Sequence, residues 1–270
     1  MAMFRLSRQF RPRLGGLHNV DRPWVRPDHS SERVNAILRL MPEPTSYLEI
    51  GLDDGWTFLK VAAASLVGVD PEPRFDQRKL TKNQVVYAEP SDSYFGRHRG
   101  SDLFDVVFVD GLHTAEQTLR DIQNAFRLLK PKGVVVIDDV IPSDSISAIP
   151  DQAESLRLRR IERLPGSAWH GDVFRVLGSI AECRAWLNWV TIDDRATDDR
   201  RNPQTLVWRT EHPRFKPDFL SPESLLPASF DTVFQQGVPD VFRTCSEGDA
   251  LSLLAQRLQA PPHDDLGTTP

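Results

Sequence analysis

The feature of this sequence that most constrains its fold is an apolar segment that runs into two closely spaced glycines. Residues 47–50 are largely apolar, and Gly51 and Gly55 follow them with three residues in between. A second apolar segment, residues 66–69, ends at Asp70. A strand, a glycine turn, a helix and a second strand together form the crossover unit of a parallel α/β sheet. In that unit Asp70 lies beside the glycine turn, where its carboxylate can accept hydrogen bonds from both hydroxyls of a ribose.

The spacing of the glycines indicates which nucleoside ligand the turn suits. A dinucleotide fold uses the pattern G-x-G-x-x-G to wrap its backbone around a pyrophosphate, and here the position two after Gly51 is Asp53. An acidic turn is a poor cradle for phosphate and a suitable neighbour for an ammonium or sulfonium group. The alternative is that Gly51 and Gly55 serve only a tight turn between strand and helix.

Two further apolar segments also end in carboxylates. Residues 104–109 precede Asp110, and residues 134–137 precede Asp138 and Asp139. The carboxyl ends of parallel strands meet at one edge of the sheet, and ligands of open α/β sheets bind outside that edge. The sequence therefore predicts a cluster of acidic side chains around a ligand.

A helix is predicted between those two strands. Thr114 and Gln117 have the spacing of a capping box, and apolar residues follow at positions 115, 119, 122, 126 and 129, along one helix face. His113 lies immediately before this cap, so it is either a group at the sheet edge that titrates near neutral pH or a residue that shapes the turn.

These motifs resemble those of class I S-adenosylmethionine-dependent methyltransferases. Glu49, Gly51 and Gly55 match the first motif of that class, and Asp70 after Val69 matches the second. The resemblance implies that S-adenosylmethionine is the cofactor, with Glu49 and the glycine turn beside its methionine part. It further implies that Asp70 holds the ribose and that the chain adopts a Rossmann-like, doubly wound, mostly parallel seven-stranded α/β sheet that ends in an antiparallel hairpin.

Residues 107–142 resemble the type twenty-four subgroup of methyltransferase domains, whose members read approximately FIDGLH, helix, LKPGG, strand, HD. They are also similar to metal-dependent O-methyltransferases of catechols, phenylpropanoids and antibiotic sugars. That similarity implies a magnesium site made of Asp110, Asp138 and Asp139. Where this chain has Asp138–Asp139 the subgroup often has His-Asp, and Lys132 replaces a glycine. The alternative is that these carboxylates only cap helices or, for Asp110, contact the cofactor.

The resemblance extends over about residues 46–210, because residues 169–175 are similar to a W-x-G-D-V-W-K segment of the same subgroup. Within that span, Ser91 and Asp92 match the loop after strand three that contacts the adenine. An aromatic residue of the following pair, Tyr94 or Phe95, would pack on the adenine face. The alternative is a surface loop that caps a helix. Trp56, next to Gly55, is predicted to pack in the core.

Methyl transfer to a hydroxyl needs a base or a metal ion that lowers the hydroxyl pKa. His113 is the first candidate for the base, with Asp110 beside it, and His170 is the second, as a residue lining the acceptor pocket. For His170 the alternative is an exposed loop histidine.

Composition restricts the remaining possibilities. The chain has 270 residues, a net charge of −5 and two cysteines, which argues against a nucleic-acid partner and a disulfide framework and favours the cytoplasm. No segment has the length and apolarity of a membrane span. We expect a basic arm and lid helix over residues 1–45, the methyltransferase domain over 46–211, and a partly disordered extension over 212–270; a homodimer stays open.

The sequence therefore predicts a methyltransferase that acts on a hydroxyl of a small molecule, such as a sugar, a glycan or a secondary metabolite. One alternative is a module that binds S-adenosylmethionine without catalysis. Another is a nicotinamide-dependent oxidoreductase, which the missing G-x-G-x-x-G disfavours.

Overall fold

The structure is a computed structural model that describes residues 28–100, 103–166, 168–198, 201–210 and 215–259. The predicted basic arm, most of the segment predicted as a lid and the tail predicted to be disordered lie outside these residues.

The core is one mixed sheet of eight strands. They are β1 Ser46–Ile50, β2 Ser65–Asp70, β3 Gln84–Ala88, β4 Phe104–Val109, β5 Leu129–Ile137, β6 Leu187–Ile192, β7 Gln204–Arg209 and β8 Thr244–Cys245. The spatial order is β3-β2-β1-β4-β5-β7-β6-β8, with β1 to β5 parallel and β7 antiparallel to both β5 and β6. The predicted seven-stranded sheet with its antiparallel last hairpin is confirmed, and the two-residue β8 adds an eighth strand.

Helices cover both faces of the sheet, which explains why its central strands are apolar on both sides. They are α1 His29–Leu38, α2 Ser91–Arg97, α3 Ala115–Leu128, α4 Gln152–Ile161, α5 Val176–Glu182, α6 Phe230–Phe234 and α7 Glu247–Gln259. Alternate residues of β4 belong to the two apolar cores, so Val107 packs on the side of α3 and α5 while Phe108 packs on the side of α1 and α7.

One predicted detail is wrong. Between β1 and β2 there is no α-helix but a single 3-10 turn, Phe58–Lys60. Gly51, Asp53 and Gly55 all have positive φ, so the chain leaves β1 through a left-handed turn and has little length left for a helix. The residue at the N-cap of α1 is Asp28.

The end of the chain contributes to the same sheet and core. Strand β8 pairs with β6, and α7 buries Ala250 and Leu254 against the face that also buries Val34 of α1. The described helices are at most 14 residues long, and none of them is both long and apolar enough to cross a bilayer.

Candidate active site

A cleft of about 860 Å³ opens at the carboxyl edge of the parallel strands, where β2 and β4 diverge on either side of β1. This is the switch point at which open α/β sheets bind ligands. The predicted site residues that line it are Glu49, Gly51, Asp70, Ser91, Asp92, Asp110, His113, Asp138 and Asp139. Gly55 and His170 are not among the lining residues.

The glycine turn is fixed by a close approach of two backbone segments. Gly51 has a φ of 88°, and a Cβ atom there would lie 1.9 Å from the carbonyl oxygen of Asp110. Only glycine fits such a position. Gly55, at a φ of 74°, is buried against Phe75, so it shapes the turn without facing the cleft.

Asp70 holds this turn from the end of β2. Its Oδ2 atom accepts hydrogen bonds from the backbone N–H groups of Leu52 at 2.7 Å and Asp53 at 2.9 Å. Its Oδ1 atom accepts from the N–H of Glu72 at 2.7 Å. A carboxylate has about four acceptor positions, so three are used by the protein and about one is left for a ligand.

Glu49 is a buried carboxyl group at the floor of the cleft. The Tyr47 hydroxyl donates to Glu49 Oε2 across 2.6 Å. Burial, together with the nearby charges of Asp110 and Asp138, raises the pKa of Glu49 well above its usual value of 4.5. The protein therefore tends to keep this group protonated until a positive charge enters the cleft.

The loop predicted to contact adenine is the N-terminus of α2. Gln117 Nε2 lies 3.2 Å from Ser91 Oγ and 3.3 Å from Asp92 Oδ1, so the predicted return of this side chain to Thr114 does not occur. The other half of the capping box is present, since Thr114 accepts from the N–H of Gln117.

The aromatic pair of this loop does not face the cleft. Tyr94 and Phe95 are 2% and 6% exposed and pack in the core beside β2 and α3. The predicted aromatic contact with adenine is therefore absent from this pair.

His113 lies between two carboxylates at the ends of β4 and β5. Its Nδ1 atom is 2.9 Å from Asp139 Oδ2 and 3.1 Å from the carbonyl oxygen of Trp169. Its Nε2 atom is 3.3 Å from Asp110 Oδ1. Both ring nitrogens face acceptors, a geometry that suits the doubly protonated imidazolium. The ring also stacks on the indole of Trp169 at a centroid distance of 4.5 Å.

The charges of this cluster follow from its burial. Burial opposes charge on His113, but Asp139 and Asp110 outweigh it and raise the pKa of His113 well above its usual 6.5. Burial also works against ionised Asp139, yet the two nearby histidines and the hydrogen bonds from His113 and Asn202 lower the pKa of Asp139 to about 2. Burial and the adjacent charges raise the pKa of Asp138 well above its usual range.

Asn202 is a cleft residue that the sequence gave no reason to select. Its Nδ2 atom lies 2.6 Å from Asp138 Oδ1 and 2.6 Å from Asp139 Oδ1. It stands in the polar segment before β7, and no spacing motif ties it to the carboxylates. The only signal is its position near the start of a strand that enters the sheet at the carboxyl edge of the parallel strands.

His170 lies behind the cluster, so its predicted place in the lining of the acceptor pocket is wrong. Its Nε2 atom is 3.9 Å from Asp139 Oδ1, and the side chain is 8% exposed. Burial lowers the pKa of His170 below 6.5. The next residue, Gly171, packs directly against the backbone of His113, which holds this segment in place.

Trp169 and Trp56 form aromatic walls of the cleft. Trp56 is half-buried, with Lys60 Nζ 3.2 Å from its ring centroid, so the predicted core position is wrong. The turn with positive φ carries its side chain out of the core and into the cleft.

One group of side chains at the cleft has the donor atoms and spacing for a metal ion. Among the described residues, Asp110, His113 and Asp139 each offer one ligand atom, all within 4.8 Å of one another. Asp138, the third predicted ligand, is not in this group; its Oδ1 atom accepts from Asn202 and from the backbone of Asp139.

Part of the chain matches a known protein family. Residues 48–140 match the profile of the methyltransferase domain of type 24. No curated protein matches the chain.

Solved structures with a similar fold include several methyltransferases. A provisionally assigned O-methyltransferase from Klebsiella pneumoniae is 16% identical, with a TM-score of 0.48 over 69% of this chain and 81% of that one. An O-methyltransferase from Bacillus cereus in complex with S-adenosylhomocysteine is 13% identical, with a TM-score of 0.45 over 69% and 82%. The O-methyltransferase TomG from Streptomyces achromogenes, involved in tomaymycin synthesis, is 18% identical, with a TM-score of 0.41 over 69% and 92%. Residues 48–140 therefore match the methyltransferase domain of type 24, the subgroup that the sequence motifs resemble.

Proposed function

We propose that this protein transfers the methyl group of S-adenosylmethionine to a hydroxyl of a small molecule, such as a sugar, a glycan or a secondary metabolite. One observation carries the proposal. A single cleft contains both the Gly51 turn with Asp70 and the cluster of Asp110, His113 and Asp139. A cofactor end and a polar reacting end therefore face one another across the switch point of the sheet.

The cofactor end suits a cationic nucleoside. The remaining acceptor position of Asp70 would bind one ribose hydroxyl, and Ser91 and Asp92 would bind the adenine edge. The sulfonium and ammonium groups would lie near Gly51 and Glu49, where a positive charge would favour ionisation of the Glu49 carboxyl. The volume of the cleft is in the range of pockets that bind a ligand of this size, about 300–1,000 Å³.

The acceptor end must hold the hydroxyl about 3 Å from the methyl carbon, in line with the breaking bond, and accept its proton. A proton is released because a neutral hydroxyl becomes an ether while the sulfonium becomes a neutral thioether. Both ring nitrogens of His113 face acceptors and its pKa is raised, which favours the imidazolium over the free base that the sequence predicted. We assign the proton to the carboxylates of the cluster, Asp110 and Asp139, with the positively charged His113 between them.

The cluster of Asp110, His113 and Asp139 offers some of the ligand atoms that a magnesium ion prefers. Asp110 and Asp139 supply the carboxylate oxygens that this ion prefers, with His113 beside them. When bound, the ion would lower the pKa of the acceptor hydroxyl. The predicted trio of Asp110, Asp138 and Asp139 would require Asp138 to turn away from Asn202. We therefore favour Asp110, Asp139 and His113 as the protein ligands. His170 would act through Asp139 without touching the acceptor.

The experiment begins with the cofactor. Isothermal titration with S-adenosylhomocysteine is expected to show binding to the wild type and about 10- to 100-fold weaker binding to Asp70→Asn, which loses a charge-assisted hydrogen bond. Asp76→Asn removes an exposed cap carboxylate outside the cleft and is the matched control, expected within about twofold of the wild type. No binding by the wild type, or stronger binding of NAD, would reject the cofactor assignment.

The second arm measures transfer. Tritium from the labelled methyl group is followed into a panel of sugars, glycosides and aromatic alcohols, with and without Mg²⁺. Transfer to a hydroxyl that is abolished by Asp139→Ala, while S-adenosylhomocysteine still binds, supports catalysis. Binding that persists with no transfer to any member of the panel or to a cell extract favours the non-catalytic module.

A further inference from the structure

We infer that Asn202 is the positioning residue for the two carboxylates at the end of β5, and that the C-terminal helix α7 holds it in place through the buried Arg33. The inference rests on the proposed function, because it concerns the groups that would receive the acceptor proton. Neither Asn202 nor Arg33 belongs to any of the sequence motifs.

The first step is the contact between Asn202 and the carboxylates. One amide nitrogen carries two hydrogens, and Asn202 Nδ2 directs them to Oδ1 of Asp138 and Oδ1 of Asp139, each at 2.6 Å. Asp138 and Asp139 are each 8% exposed as whole residues, so water screens the electrostatic interaction between their carboxyl groups poorly. The amide bridges them, and this fixes the orientation of Asp139, whose other oxygen accepts from His113.

The second step is the support of Asn202 itself. Arg33 lies in α1 and is 1% exposed. Its guanidinium donates to the carbonyl oxygen of Asn202 at 3.3 Å and to Gln204 Oε1 at 2.6 Å. These contacts fix the backbone just before β7, where the chain has no strand partners to hold it. The backbone position from which the Asn202 side chain projects is therefore fixed.

Arg33 is in turn held by helix α7. Glu247, the first residue of α7, accepts from Arg33 Nε at 3.2 Å and from Arg201 at 3.1 Å. A buried guanidinium needs such a carboxylate partner. The contacts thus run from α7 through Arg33 to Asn202 and the two carboxylates, so a segment beyond the family domain contributes to the geometry of the cleft.

This arrangement has a measurable consequence in the free protein. The side-chain NH₂ group of Asn202 donates to two carboxyl oxygens, so its hydrogens are expected to resonate downfield and to exchange with water at least about tenfold more slowly than those of Asn188, an exposed asparagine on β6. Asp138→Ala or Asp139→Ala should each shift the Asn202 signals and leave those of Asn188 unchanged. Equal exchange rates for the two asparagines, or signals that ignore both substitutions, would overturn the inference. Neither readout requires an acceptor or a cofactor.

The functional arm separates positioning from cofactor binding. Asn202→Ala is expected to reduce the rate of methyl transfer by about 100-fold, the order expected for a reacting group misplaced by about 1 Å. Its affinity for S-adenosylhomocysteine should stay within about twofold, because Asp70 and Ser91 lie at the other end of the cleft. Arg33→Met should produce a smaller loss of the same kind, and Asn188→Ala none.

The possible outcomes are distinct. Loss of S-adenosylhomocysteine affinity in Asn202→Ala equal to its loss of transfer would place Asn202 at the cofactor and overturn the positioning role. Full transfer activity of Asn202→Ala would also overturn it. A wild type that binds no S-adenosylhomocysteine rejects the proposed function instead, and the exchange measurement still decides the role of Asn202.

Discussion

His113 and Asp139 form a buried ion pair in which Nδ1 of the imidazole lies 2.9 Å from Oδ2 of the carboxylate. Their side chains are 16% and 11% exposed, so solvent screens the pair only weakly. The pair joins the loop after β4 to the end of β5. It is therefore a structural link between two strands as well as a part of the candidate active site.

The first prediction concerns the pH dependence of this link. The pKa of His113 is higher in the folded protein than its usual 6.5, so its contribution to stability is complete below about pH 6.5 and is lost as pH rises through the folded value. His113→Gln should lower the free energy of unfolding by roughly 2–4 kcal/mol at pH 6, with a smaller difference from the wild type once the pH exceeds the folded pKa. Urea unfolding at a series of pH values measures this.

The carboxylate provides the control. The pKa of Asp139, at about 2, is below its usual value, so its contribution is present above about pH 4 and is lost as pH falls towards 2. In an Asp139→Asn background the effect of His113→Gln should be smaller at pH 6. An effect of His113→Gln that is the same in both backgrounds would show that the two residues are not coupled.

The second prediction concerns metal binding. A metal ion held by Asp110, Asp139 and His113 must displace the proton of the imidazole. The affinity for Mn²⁺, followed by electron paramagnetic resonance, should therefore rise about tenfold per pH unit below the pKa of His113 and level off above it. A pH-independent affinity would exclude His113 from the ligands and leave an all-oxygen site.

The third prediction concerns Gly171, which packs on the backbone of His113. It has a φ of 59°, and a Cβ atom there would lie 1.7 Å from the carbonyl oxygen of His113. Gly171→Ala should therefore cost at least about 3 kcal/mol of stability, because both backbone strain and a clash must be relieved.

Gly166 is the matched control for this change. It also has a positive φ, of 74°, but apart from its chain neighbours no atom of the described residues lies within 4 Å of the added Cβ position. Gly166→Ala should cost only the strain, about 1–2 kcal/mol. Thermal and urea unfolding compare the stability of the two variants. Equal losses of stability would mean that the close contact between residue 171 and His113 adds nothing to the cost of the substitution.

Much of the fold was predictable because each strand has a local signal. The apolar run of β4 with Asp110 after it, and the run of β5 with Asp138 after it, specify both the strands and the edge at which they end. The lack of an α-helix between β1 and β2 was not predictable, since nothing in the amino-acid sequence shows that Asp53 adopts positive φ. That conformation depends on Asp70, which accepts from the backbone N–H of Asp53.

The carboxylates of the site were predictable from the sequence, but the contacts that connect them to the surrounding residues were not. Asp110 and Asp139 follow strands, so topology alone brings them together. The pKa of Asp139 depends on contacts between segments far apart in sequence, because His113, His170 and Asn202 all lower it. Trp56 shows the same limit, because an aromatic residue after a glycine turn has no local signal that separates a core position from a cleft wall.

The fourth prediction concerns Asp121, a carboxyl group on α3 that is 1% exposed. Burial raises its pKa to about 6, against the hydrogen bond from Gln117. The folded state therefore binds more protons than the unfolded state between about pH 4 and pH 6, and this contribution to stability is lost as pH rises through 6. Asp121→Asn keeps an acceptor for Gln117 and cannot ionise. It should be more stable than the wild type by about 1–3 kcal/mol at pH 8 and nearly equal to it at pH 4.

The measurement for Asp121 is urea unfolding of both proteins at pH 4.5, 6 and 8. Glu116→Gln removes an exposed charge from the same helix and should change stability by no more than about 0.5 kcal/mol at pH 8. A gain for Asp121→Asn that is the same at all three values would come from packing or net charge. A loss at pH 8 would mean that the ionised carboxylate makes a favourable contact with the N-terminus of α2, where Ser91 begins the helix beside the cleft. The proposed cofactor end would then depend on the charge of Asp121, and S-adenosylhomocysteine affinity should fall in the same variant.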